Sequence, residues 1–204
     1  MKYLHYSLLK DGDIILFHQN NTCFGSLIQC CTSSKFCHIG MVLKNPIYID
    51  SSLNQGLYLL ESGVEPYQDA EDNKYKFGVQ IQRLLPILKE YGKKNIYCRQ
   101  INKLNNFPFN KMNEIHNNIH NKPYDINPID WIEGIIDVKD PIIVKTIDDR
   151  FWCSALVAYV YTKLGYLDKN TKWTLINPED WNYKKKSKLN FTNCNLSKVK
   201  RILF

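Results

Sequence analysis

Apolar positions along the chain fall into short continuous runs in the first half and into helical spacing in the second. A Gly12-Asp13 turn precedes Ile14-Ile15-Leu16-Phe17, a run that predicts a buried strand. In residues 24–31, Leu27, Ile28 and Cys31 stand at helical spacing and predict a short helix, broken by Thr32-Ser33-Ser34-Lys35. His38-Ile39-Gly40-Met41-Val42-Leu43 predicts the next strand; Asn45-Pro46 ends it, and Ile47-Tyr48-Ile49 is expected to return as a hairpin arm. Leu57-Tyr58-Leu59-Leu60-Glu61-Ser62 predicts a third strand, entered from Asn54-Gln55-Gly56. Residues 78–84 alternate as a half-buried strand does, and residues 95–101 predict one more. The intervening residues 64–76 are polar and acidic and read as a surface loop.

From about residue 110 the spacing changes. Met112, Ile115 and Ile119 lie at i, i+3 and i+7, and residues 128–136 predict a second helix with Pro128 in its first turn. Residues 152–164 are the clearest helix: Ala155, Leu156, Tyr159, Val160 and Leu164 trace one apolar face, and Gly165 follows as a C-terminal glycine. Strands first and helices after predict an α+β fold. At 204 residues, 44% hydrophobic and 23% charged, the chain suits one folded domain rather than a disordered segment. The domain is expected over residues 1–181, with a basic segment over 182–204.

Charge sharpens that division. No acidic residue follows Asp180, whereas Lys184, Lys185, Lys186, Lys188, Lys198, Lys200 and Arg201 supply the whole net charge of +7. Such a segment suits an anionic membrane surface, and nucleic acid less well in a chain otherwise near neutrality. No run approaches the length of a membrane-spanning helix, and Met1-Lys2-Tyr3-Leu4-His5 does not open a signal peptide, so a soluble cytoplasmic protein is expected. In that setting the seven cysteines are read as reduced thiols. The oligomeric state leaves no mark on the sequence.

One of those thiols stands apart. Cys153 lies in the first turn of the clearest helix, where N–H groups and the helix dipole favour a thiolate and backbone N–H groups can receive an oxyanion. His38 opens an apolar strand, a rigid mount for a base. Glu61, near the end of the next main strand, is placed to hold the second nitrogen of that imidazole, with Glu65 as a local alternative. His116 and His120 share a helix face at i, i+4, but no third ligand stands near them in the sequence. Cys23, Cys30, Cys31, Cys37 and His38 cluster without a C-x-x-C pair. No metal or organic cofactor is therefore expected.

In this order the motifs resemble the circularly permuted branch of the NlpC/P60 papain-like superfamily, the YiiX/YebB-like proteins with their poxviral and giant-virus relatives. Leu9-Lys10-Asp11-Gly12-Asp13-Ile14-Ile15-Leu16-Phe17 resembles the opening "GD" strand. Residues 33–42, centred on Cys37-His38-Ile39-Gly40, resemble the histidine motif, and Leu57-Tyr58-Leu59-Leu60-Glu61-Ser62 the strand of its acidic partner. Phe151-Trp152-Cys153-Ser154-Ala155-Leu156-Val157 resembles the cysteine helix start, and Asn177-Pro178-Glu179-Asp180 the closing "P-x-D". The resemblance implies a papain-like antiparallel sheet packed on the cysteine helix, with Cys153 as nucleophile, His38 as base and Glu61 as its orienter. It also implies a polar group near the oxyanion, for which Tyr124 and Ser154 are the candidates. The expected activity is a thiol hydrolase or acyltransferase acting on an amide, ester or thioester, a lipid or acyl substrate being preferred over a peptide. The alternative is a catalytically silent lipid- or protein-binding module of the same fold. Likeness to viral members adds a virion-associated location to the cytoplasmic one.

Overall fold

The apolar runs become strands of one sheet because both of its faces are covered. The computed structural model describes residues 2–18, 35–64, 66–103, 105–125, 149–182 and 188–204. Its strands are β1 (Tyr3–His5), β2 (Ile14–His18), β3 (Phe36–Lys44), β4 (Leu57–Val64), β5 (Phe77–Arg83), β6 (Ile96–Arg99), β7 (Ile101–Lys103), β8 (Cys194–Leu196) and β9 (Lys200–Leu203). The helices are α1 (Leu84–Tyr91), α2 (Phe109–Ile119) and α3 (Cys153–Leu164). A seven-stranded sheet runs β1-β9-β6-β2-β3-β4-β5, and β7 and β8 form a separate pair. Only β1 and β9 pair in parallel; the other neighbours are antiparallel. The fold is α+β.

Alternation along the strands divides the core. Ile14, Leu16, Ile39, Met41, Leu60, Val79 and Ile81 pack with α2 and α3. Ile15, Phe17, Val42 and Leu59 face the other way and pack with Leu84, Ile87 and Leu88 of α1. Ten of the twelve residues of α3 are buried. Burial at about 1.5–3 kcal/mol for each large apolar side chain makes this helix a chief source of stability. It ends at Gly165, whose left-handed φ of 79° lets its N–H reach back to the carbonyls of Tyr161 and Thr162. Near the opening turn, the buried Asp13 carboxyl accepts N–H groups from Lys10 and Ile101, tying that turn to β7.

Two expectations are corrected, and one helix appears that the sequence reading did not predict. Ile47-Tyr48-Ile49 forms a turn, not a strand: Asn45 adopts φ 47°, its side chain accepts the Gly56 N–H, and Ile49 N–H bonds the Pro46 carbonyl. Residues 84–91 form α1, which follows β5 without an intervening loop. The C-terminal segment is not an appendage, since β9 lies inside the main sheet between β1 and β6. The expected helices at 24–31 and 128–136 lie outside the described residues. Among the described residues, no helix is long and apolar enough to cross a membrane.

Candidate active site and a histidine–glutamate cluster

His38 sits beside a β-bulge. Phe17 of β2 pairs with His38 and His18 with Phe36, so Cys37 is the extra residue. The imidazole lies 5.5 Å from the Phe17 ring, centre to centre. Its Nε2 meets Glu61 Oε2 at 2.6 Å, joining β3 to β4 through a buried contact. The second oxygen of Glu61 accepts from Gln80 Nε2 at 3.4 Å; that amide also reaches the Gly63 carbonyl, and Gln82 donates to Gln80 Oε1 at 2.9 Å. Burial, and then the charge of Asp69, push the Glu61 carboxyl up to about 8. Near neutral pH the Glu61 carboxyl therefore favours its protonated form. Gly63 leaves room for the ring, since a Cβ there would stand 3.2 Å from its Cε1.

Cys153 opens α3 and is buried. The residue before it, Trp152, makes no capping bond with its side chain, so backbone N–H groups of the first turn are not capped by it. Ser62 fixes the approach to the helix by donating its hydroxyl to the Phe151 carbonyl at 2.6 Å. Tyr124 lies against this turn, its hydroxyl facing the Cys153 backbone N–H; burial first, then Cys153 and Asp125, raise its pKa. Ser154 is otherwise engaged. Its hydroxyl bonds the Ile176 carbonyl at 2.8 Å, an oxygen also held by Trp152 Nε1 at 3.1 Å. This bond anchors the start of α3 to the segment around Ile176. The closing Asn177-Pro178-Glu179-Asp180 segment forms a capping box, and Glu179 Oε2 accepts the Lys35 N–H near the start of β3.

The structure thus brings His38 to Glu61 and Tyr124 to Cys153. Ser62, between Glu61 and Gly63, ties the start of α3 to the strand that carries the carboxylate. No hydrogen bond joins the Cys153 sulfur to His38 among the described residues. Alternation turns Leu60 toward α3 and Leu59 toward α1, and His38 shares the side of Phe17. His38 and Cys153 therefore face opposite sides of the sheet. Glu65, Cys23, Cys30 and Cys31 lie outside the described residues; Cys37 Sγ faces the Phe17 carbonyl at 3.5 Å.

A second cluster departs from the sequence reading. His116 and His120 of α2 stack with ring centres 4.9 Å apart, and the third ligand type missing nearby in sequence is supplied by Glu71. Its Oε2 lies 3.0 Å from His116 Nε2 and 3.4 Å from His120 Nε2. Ser62, Gln80 and Glu71 went unnoticed in the sequence because each acts through a partner distant along the chain.

No family model matches the chain, and no curated protein matches it. Among solved structures it is similar to the crystal structure of metalloprotein yiiX from Escherichia coli O157:H7, DUF1105. The identity is 18% and the TM-score 0.48, over 94% of this chain and 98% of that one.

Proposed function

We propose that the chain is a papain-like, cysteine-dependent hydrolase or acyltransferase acting on an amide, ester or thioester. The observation that carries this reading is the buried 2.6 Å contact between His38 and Glu61, near the strand end to which Ser62 ties the approach to Cys153. Glu61 engages Nε2, which assigns Nδ1 to exchange a proton with the thiol. Cys153 thiolate attacks the carbonyl carbon; N–H groups of the first helical turn and the Tyr124 hydroxyl stabilise the oxyanion. The His38 imidazolium protonates the leaving group and then takes a proton from the water or acceptor that releases the acyl-enzyme. This chemistry requires the imidazole to reach the sulfur from the opposite face of the sheet, which the effect of His38→Ala on Cys153 labelling tests. A lipid or acyl substrate is preferred to a peptide because the basic C-terminal residues suit an anionic surface.

The placement of His38 and Cys153 on opposite faces of the sheet favours a second reading, a silent binding module of the same fold. A thiol-reactive acyl probe separates the two. The enzyme reading expects stoichiometric labelling at Cys153, abolished in Cys153→Ala and reduced by more than about tenfold in His38→Ala. Labelling spread over exposed thiols and indifferent to His38→Ala would sink it.

A further inference from the structure

The cluster of Glu71, His116 and His120 shares no residue with the proposed active site. We propose that it is a binding site for a divalent transition-metal ion of the zinc class. One donor atom from each residue lies within 4.8 Å of the other two. The two carboxylate-to-nitrogen separations, 3.0 and 3.4 Å, bracket the roughly 3.3 Å edge of a tetrahedron with metal bonds of about 2.0–2.1 Å. Two imidazoles and one carboxylate form a ligand set suited to zinc, with a position left for water or a further ligand.

The polar atoms themselves point to a ligand. The His116 side chain is only 3% exposed, yet its Nδ1 has no hydrogen-bond partner, so no neighbour on that side fixes the tautomer. Glu71 Oε2 is covered and accepts no well-formed hydrogen bond, although it lies between two ring nitrogens. A cation held by the two Nε2 atoms would satisfy the covered Glu71 oxygen, while His116 Nδ1, on the other side of its ring, would carry the N–H. The surrounding charge is favourable. Glu71, Asp69 and Asp72 bring three carboxylates against the ammonium of Lys76 and that of Lys74 beside Asp72, so one formal negative charge remains.

Lys76 is the competitor. Its Nζ is 3.2 Å from His120 Nε2, but also 2.9 Å from Asp69 and 3.1 Å from Asp72, which can retain it when a metal takes the imidazole lone pair. A bound ion would staple the polar segment around residues 66–76 to α2. It would thereby give that segment a structural role.

The test uses the full chain, treated with chelator and then titrated with Zn²⁺ or Co²⁺. Thermal unfolding should shift upward with Zn²⁺ in the wild type and in Cys153→Ala. Affinity should fall by more than about tenfold in Glu71→Gln and His120→Gln, each first shown to be folded by circular dichroism. Co²⁺ should give the visible bands of a tetrahedral nitrogen–oxygen site without thiolate charge transfer. Lys76→Gln should bind more tightly, an outcome that misfolding cannot mimic. No binding, unchanged affinity in Glu71→Gln and His120→Gln, thiolate bands, or weaker binding by Lys76→Gln each overturns the assignment. Since Cys153→Ala retains the site, failure here is distinguishable from failure of the thiol mechanism.

Discussion

Replacing Glu61 by Gln tests whether the buried pair shares a proton. Glu61 is completely buried and its carboxyl is raised from 4.5 to about 8, so folding favours its protonated form. The associated stability is fully present below pH 4.5 and drains as pH rises through about 8. Treated alone, a shift of that size is an upper bound of about 5 kcal/mol. His38 lowers the figure, because an unfolded histidine would itself hold a proton to about pH 6.5, so the pair adds only about 2 kcal/mol between there and pH 8. Glu61→Gln removes this pH dependence along with the 2.6 Å contact to His38. Urea unfolding of both proteins near pH 6 should show a cost of about 2 kcal/mol, in the range for losing one charge-assisted hydrogen bond. Near pH 9 the difference should shrink toward zero, because the wild type must then bury an ionised carboxylate beside a neutral ring. A substitution that costs as much at the higher pH as at the lower one would refute the shared proton. It would mean that Glu61 is ionised throughout.

Other substitutions probe the links around this pair. Gly63→Ala sets a Cβ 3.2 Å from His38 Cε1; labelling of Cys153 by an acyl probe should slow while stability changes by less than about 1 kcal/mol, and unchanged labelling would show that the ring's position does not matter. Ser62→Ala removes the 2.6 Å bond to the Phe151 carbonyl, and urea unfolding should register a loss of about 1–2 kcal/mol. Truncation after residue 193 deletes β8 and β9, and with them an interior strand of the main sheet; loss of a cooperative thermal transition is expected, whereas a fully cooperative truncated protein would contradict the topology. Salt-dependent binding lost on such truncation cannot by itself be assigned to the basic side chains, so charge reversal at Lys198 and Lys200 is the cleaner measurement.

What could be read from the sequence was local, and what could not was a matter of distance or of competing signals. β2, β3 and β4 were legible because both sheet faces are covered, which makes their apolar runs nearly continuous. α3 was legible because Gly165 punctuates it and the left-handed cap it predicts is present. α1 was hidden: Leu84-Leu85-Pro86-Ile87-Leu88 continues the apolar character of β5 without a breaker, and the proline that weakens a strand reading is tolerated in a first helical turn. Ile47-Tyr48-Ile49 misled in the opposite sense, since its β-favouring side chains are overruled by the Asn45–Gly56 bonds that close the turn. The same division governs the two candidate sites. His38 and Glu61 could be paired before the structure because each stands on a recognisable strand and the two strands are sheet neighbours. Glu71 could not be paired with His116 and His120, because the loop that carries it has no periodicity to reveal which way it folds. Ala70 N–H bonds the Ile81 carbonyl and Asp69 accepts the Ile81 N–H, fastening that loop to β5. These long-range bonds place a carboxylate opposite two histidines on another element, so the metal-ligand pattern exists only in three dimensions.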